Sequence, residues 1–201
     1  MSSKLNTLPR DFYLPSALEV APELLGKTLV HRTPRGIISG IIIETEAYTV
    51  DDPACHAWRG MTPRNAVMFG SPGHAYVYKV HMQNCINAVC REEGIAEAVL
   101  IRALYPLDGR DLMTANRGSE DLKALCSGPG KLCQALDIDR SLNGVDIVNG
   151  PVYILNDSKR IGEIIQTTRI GISAATENLW RFYLKDFEKW VSRKAVNARC
   201  L

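Results

Sequence analysis

Long apolar runs are missing from this 201-residue sequence. Nothing approaches the roughly 20 consecutive apolar residues that span a bilayer, so no membrane partner is expected. The opening stretch, MSSKLNTLPRDF, holds no apolar core of the kind a secretory leader needs, and a cytoplasmic address is the expectation. CxxC pairs are absent as well. Cys55, Cys85, Cys90, Cys126, Cys133 and Cys200 stand at spacings that fit no zinc site, which leaves reduced packing residues as their expected role and no metal as the expectation. Charge of one sign is not in excess. With 24 Lys+Arg against 22 Asp+Glu the net charge is +2, which neither demands nor excludes a polyanionic partner. The sequence shows no P-loop, GxSxG, kinase or HExxH motif, and no cofactor is expected. Internal repeats, low-complexity tracts and linkers are missing too.

What is present describes one domain, 1–201. Hydrophobic residues make up 46% of the chain, enough for a sizeable core, and the charged fraction of 23% is ordinary for a globular protein. Residues 1–9 read as flexible. Ser16 can cap a short helix carrying Leu18; Pro22 suits the first turn of a second, with Gly26 at its end. Residues 27–33 (KTLVHRT) and 37–48 read as a hairpin around the turn Pro34-Arg35-Gly36. Residues 49–72, rich in Gly, Pro, Asp and Asn, form a long loop with room for a helical turn after Thr62, and loops of that length are usually functional. Strands are expected at 74–80 and 85–90, flanking a tip of His81, Met82, Gln83 and Asn84, and at 96–104, 151–155 and 163–172. Short helices are expected at 108–116 and from Ser127, with Leu132, Cys133 and Leu136 inward. Many strands with short helices between them predict an α+β fold: one compact domain, a curved, mostly antiparallel, open-barrel-like sheet, peripheral helices and a protruding β-hairpin.

The stretch from Ile37 to Asn65 holds the residues best suited to chemistry. Ile41, Ile42 and Ile43 favour a strand, and Glu44, Glu46 and Tyr48 then share one face of it. A carboxylate continuing an Ile-rich strand is costly unless paired or functional. Glu44 and Glu46, ~6.5–7 Å apart on a strand, could act as a glycosidase-like acid and base. One functional and one structural carboxylate is the better reading, with Glu46, nearer the strand end, as the functional one. Arg102, inside VLIRAL, needs a carboxylate or an anionic ligand if buried, and Glu46 or Glu44 could supply it. Tyr48, Tyr76 and Tyr78 could be ordinary core residues, and His56 an ordinary surface histidine. Their grouping with Glu46 points instead to a pocket that stacks a flat ring and activates a water. Arg64, in Thr-Pro-Arg-Asn, and Lys131, in Ser-Gly-Pro-Gly-Lys, could each meet a phosphate, or could be plain solvated side chains.

These residues stand in motifs that resemble a known family. ETEAY (Glu44 to Tyr48), His56, TPRN (Thr62 to Asn65), MF-x-x-PG (Met68 to Gly73), YVY (Tyr76 to Tyr78), C-x-N (Cys85 to Asn87), L-x-RAL-x-PL (Leu100 to Leu107), CSGP-x-KLCQAL (Cys126 to Leu136), RFY (Arg181 to Tyr183) and WVS (Trp190 to Ser192) together are similar to the alkyladenine (3-methyladenine) DNA glycosylases, in the same order from about Leu14 onward. The resemblance implies removal of damaged purines from duplex DNA by nucleotide flipping into a pocket. By position it makes Glu46 the base that activates water, and Arg102 the residue that helps hold that water. Tyr48, His56 and Tyr78 become the walls around the flipped base, and Asn87 a screen against the exocyclic amine of guanine. No lysine matches a Schiff-base position, so hydrolysis without strand cleavage is expected. The implied partner is double-stranded DNA with damaged purines, bound by a monomer in the cytoplasm or nucleoid with no obligate protein partner. The hairpin tip departs from the family: the usual wedge tyrosine is missing and the tip is one residue shorter, which places His81 or Met82 at the wedge, with Arg64 and Lys131 on the DNA backbone. A non-catalytic DNA-binding protein and a carbohydrate glycosidase using Glu44 and Glu46 are the competing classes.

Overall fold

The computed structural model describes residues 6–157, 162–195 and 197–201. Its spine is the 13-residue strand β2, Gly36–Tyr48, whose side chains are buried from Ile38 to Ala47. A strand buried on both faces suits the β-branched run at its centre. The first half of β2 pairs with β1, Thr28–Thr33, and β1 with β6, Val152–Leu155. From Gly40 onward β2 pairs with β5, Glu97–Pro106, and beside Glu44, Thr45 and Glu46 also with β8, Arg181–Leu184. Beyond β5 lie β4, Gln83–Cys90, and β3, Ala75–Val80; beyond β8 lie β7, Ile164–Thr167, and β9, Arg199–Cys200. The outcome is an α+β fold with one open, antiparallel sheet of nine strands among the described residues. Among the described residues four short α-helices pack around it: α1 (Ala17–Glu23), α2 (Arg110–Arg117), α3 (Leu122–Cys126) and α4 (Pro129–Ala135).

One irregularity matters for chemistry. Ile42 faces Leu104, Glu44 faces Ala103 and Thr45 faces Ile101, so Ile43 on β2 and Arg102 on β5 are each left out of the register. Bulges of this kind re-aim side chains. Here the displaced residue is the arginine that reaches the β2 carboxylates.

The main core lies between this sheet, α1 and the α2–α4 group; a smaller cluster of Cys55, Ala57, Met68, Tyr76, Val89, Ala96 and Ala98 packs beneath the 49–72 loop. All six cysteines are free thiols; Cys200 is exposed and the other five are buried, as packing residues should be. No helix among the described residues is long and apolar enough to cross a membrane.

Several local expectations are corrected. Pro22 lies inside α1 rather than opening a second helix. Ala17, Val20 and Ala21 bury the helix face, and Gly26 takes the left-handed conformation that ends the segment (φ 81°). β4 begins at Gln83, so the hairpin tip is only His81 and Met82. β7 stops at Thr167, and 168–173 leaves the sheet. α3 and β8 had no counterpart in the sequence reading. Of the N-terminal nine, 1–5 lie outside the described residues; Leu8 is buried and its N–H donates to the Ile154 carbonyl at 2.9 Å.

Candidate active site

Glu46 sits near the end of β2 with no exposed surface. A buried carboxylate needs donors, and it has three. Tyr48 Oη donates to its Oε2 at 2.9 Å, Arg102 Nη1 to the same oxygen at 3.0 Å, and the Ile170 N–H to Oε1 at 2.8 Å. The first follows from strand alternation, the second from the β5 bulge, the third from the chain leaving β7 early. Burial beside Glu46 raises the Tyr48 pKa well above its ordinary value, so its hydroxyl stays a donor.

Glu44 is equally buried but differently held. Arg181 Nη1 donates to it at 2.8 Å, the Ser192 N–H at 2.6 Å and the Ser192 hydroxyl at 2.8 Å. Arg102 lies between the two carboxylates: its Nε is 3.4 Å from Glu44, and both Nε and Nη2 donate to Ser192 Oγ, at 3.3 and 3.2 Å. Saturated by Arg181 and Ser192, Glu44 has the partners of a structural acid.

A cavity of about 960 Å³ opens beside this network. Tyr48, Arg102 and Ile170, the three residues that hold Glu46, all line it. His56 and Tyr78 form another wall, with ring centroids 4.4 Å apart and planes at 75°. Tyr76 lines the cavity beside them, 5.3 Å from Tyr78, and its hydroxyl is 3.1 Å from His56 Nδ1. Burial and the charge of Arg64 lower the His56 pKa from its ordinary 6.5, which favours the neutral ring at pH 7. Asn87 lines the cavity with its amide donated to the Tyr76 carbonyl at 2.9 Å. Asn65 fixes the loop that carries His56: its Nδ2 donates to the carbonyls of His56 and Gly60, and its Oδ1 accepts from Thr62.

His81 and Met82 stand at the cavity mouth, Met82 82% exposed and His81 in the left-handed region (φ 51°). The structure thus gathers Arg102, Tyr48, His56, Tyr78, Asn87, His81 and Met82 around one cavity, with Glu46 held by its lining. Arg64 and Lys131 do not line it. Arg64 is exposed and donates to the Lys79 carbonyl at 3.4 Å; Lys131 Nζ is 3.4 Å from Ser127 Oγ. Among the described residues no group of three or more His, Cys, Asp or Glu side chains could hold a metal ion.

Sequence reasoning missed Asp52, Arg169, Ile170, Trp180, Arg181 and Ser192. Arg169 is fully buried, donates to the Ala47 carbonyl at 3.0 Å, and binds both oxygens of Asp52. A signal existed for Arg181, which interrupts an apolar and aromatic run (LWRFYL) as Arg102 interrupts VLIRAL; Arg169, in QTTRIGI, follows three polar residues and gave none.

The fold, a carboxylate with three donors and an aromatic-walled cavity are the frame of an N-glycosyl hydrolase. Comparison with known proteins agrees. The family model described as methylpurine-DNA glycosylase matches residues 11–188. A relative from Methanoculleus marisnigri is 48% identical over 94% of this chain and 100% of its own length. One from Carboxydothermus hydrogenoformans is 49% identical over 93% and 99%, and one from Methanocella arvoryzae 48% over 94% and 96%. Each of the three has the provisional name 3-methyladenine DNA glycosylase. The chain belongs to the methylpurine-DNA glycosylase family.

Proposed function

We propose that this DNA glycosylase is monofunctional. It hydrolyses the N-glycosidic bond of alkylated and otherwise damaged purines (3-methyladenine, 7-methylguanine, hypoxanthine and ethenoadenine) in duplex DNA, after flipping the nucleotide into the cavity. The observation that supports this most is the placing of Glu46: buried, held on three sides, and bonded to residues that line an aromatic cavity. Glu46 accepts a proton from a water as that water's oxygen bonds to the anomeric carbon. The bond from that carbon to the purine nitrogen breaks, and its electron pair leaves with the base. A cationic 3-methyladenine departs as a neutral base and needs no acid. A neutral hypoxanthine needs protonation or hydrogen bonding as it leaves.

Arg102 steadies the carboxylate and stands at the cavity wall beside the water's position. Tyr48, His56 and Tyr78 enclose the base, their ring faces favouring a cationic purine. Asn87 screens against guanine. Met82 or His81 fills the gap in the duplex, and Arg64 and Lys131 meet the phosphate backbone. One chain acting alone suffices. The test is single-turnover release of free base from three labelled duplexes holding 3-methyladenine, hypoxanthine or 1,N6-ethenoadenine. Release of all three is expected. Tight lesion binding with no release from any would replace this reading with damage recognition alone.

A further inference from the structure

Tyr48 has two neighbours of opposite kind. On one side it lines the cavity. Against its ring, 4.7 Å from the centroid, lies the guanidinium of Arg169, which also lies 4.9 Å from the Trp180 ring. Arg169 does not itself line the cavity, so Tyr48 is the residue in contact with both the buried cation and the space where the base would stack. That cation is neutralised where it stands: both Asp52 oxygens accept from Arg169, and neither side chain has exposed surface.

The pair also joins the parts of the cavity. Arg169 Nη1 holds the Ala47 carbonyl on β2 at 3.0 Å, and the next residue, Ile170, gives its N–H to Glu46. Asp52 organises the turn that leads to His56, accepting the Ala54 N–H on its side chain at 3.0 Å and the Cys55 N–H on its carbonyl at 2.8 Å. A single ion pair thus fixes the plane of Tyr48, the amide on Glu46 and the loop bearing the opposite wall.

Building on the proposed glycosylase reading, we propose that the Asp52–Arg169 pair is a specificity-determining element: it positions Tyr48 and Ile170, and its neutrality lets cationic bases stack on the cavity face of Tyr48. A ring attracts a cation through its negative face, and an uncompensated cation behind that ring opposes a second one in front. Two unit charges roughly 8 Å apart across a ring repel, at a protein-like dielectric, by enough to cost about ten- to thirtyfold in binding. A neutral base is not subject to this repulsion.

The experiment compares 3-methyladenine release with hypoxanthine release, both as single-turnover kcat/KM, for wild type, Asp52→Asn and the double variant Asp52→Asn/Arg169→Gln. Asp52→Asn leaves the cation and removes its partner. Its ratio of 3-methyladenine to hypoxanthine release is expected to fall at least about tenfold. In the double variant the cation is gone and the ratio is expected to return near wild type, while both rates are lower because Ile170 and Tyr48 are held less firmly. Arg169→Lys/Asp52→Asn, which keeps an unpaired cation in place of the neutral glutamine, is expected to show the low ratio of Asp52→Asn. Equal loss on both substrates in Asp52→Asn would reduce the pair to a structural clamp and overturn the proposal. If Asp52→Asn does not fold, the two double variants decide: equal ratios in them overturn it. Wild type that releases neither base would instead overturn the glycosylase reading itself.

Discussion

At the scale of single residues the site is a set of buried carboxylates and arginines that share partners. Glu44 faces Arg181, Asp52 faces Arg169, and Arg102 bridges Glu44 and Glu46. Arg102 was legible in the sequence because an arginine inside VLIRAL has no reason to be there unless an anion awaits it. Arg181 sent the same signal and Arg169, after Gln-Thr-Thr, did not; their carboxylates are 137 and 117 residues away, and no local pattern states which acid meets which base. His56 offers a test at this scale. Burial and, secondarily, Arg64 lower its pKa, so it is neutral at pH 7 and gains its proton only below its ordinary 6.5. Acidification through that lowered value puts a cation in the wall of the cavity proposed to take the base. Half-saturation by duplex carrying the cationic 3-methyladenine is expected to rise several-fold below pH 6.5, and to lose that rise in His56→Gln. The same rise in the variant would assign the effect to another group.

At the scale of elements, the hairpins and strand alternation were readable because their period and turn residues are local. The boundaries that matter most were not. Ile170 and Ile172 follow Thr167 in the sequence, yet the chain leaves the sheet at Thr167, where the Ile170 N–H reaches Glu46 and Arg169 reaches Asp52. The β3–β4 tip is shorter than its polar residues suggested, because Gln83 pairs with Val80. Gln83 also packs on Gly130 of α4, where an added Cβ would come within 2.0 Å of the amide oxygen and 2.7 Å of Gln83 Cβ. Gly130→Ala must therefore shift Gln83, next to the hairpin tip, or α4 itself. It is expected to cost about 1–3 kcal/mol of stability by chemical denaturation, in the range of other overpacking substitutions. It is also expected to slow hypoxanthine release more than 3-methyladenine release, since stacked neutral bases depend more on the wedge. An unchanged ratio of the two rates would remove the tip from base flipping.

At the scale of the whole molecule, composition says little about a DNA partner: a net charge of +2 neither demands nor excludes a polyanion. DNA affinity is expected to fall with salt in proportion to the phosphates contacted, and Arg64→Ala and Lys131→Ala are each expected to lower the slope of log K against log[salt] by about 1. An unchanged slope in either variant would take that residue off the backbone. The sheet, in turn, explains how firmly the proposed catalytic strand is held. β2 is paired along both edges where Glu44 and Glu46 sit, so both carboxylates stand on backbone that cannot yield.

Glu46 is proposed to activate the attacking water, and single-turnover release of 3-methyladenine by Glu46→Gln at saturating duplex, with lesion binding measured in parallel, tests that role directly. Removal of a general base is expected to cost about 10²- to 10⁴-fold in rate with lesion binding kept. Release at the wild-type rate would contradict the account and return the role of base to another residue.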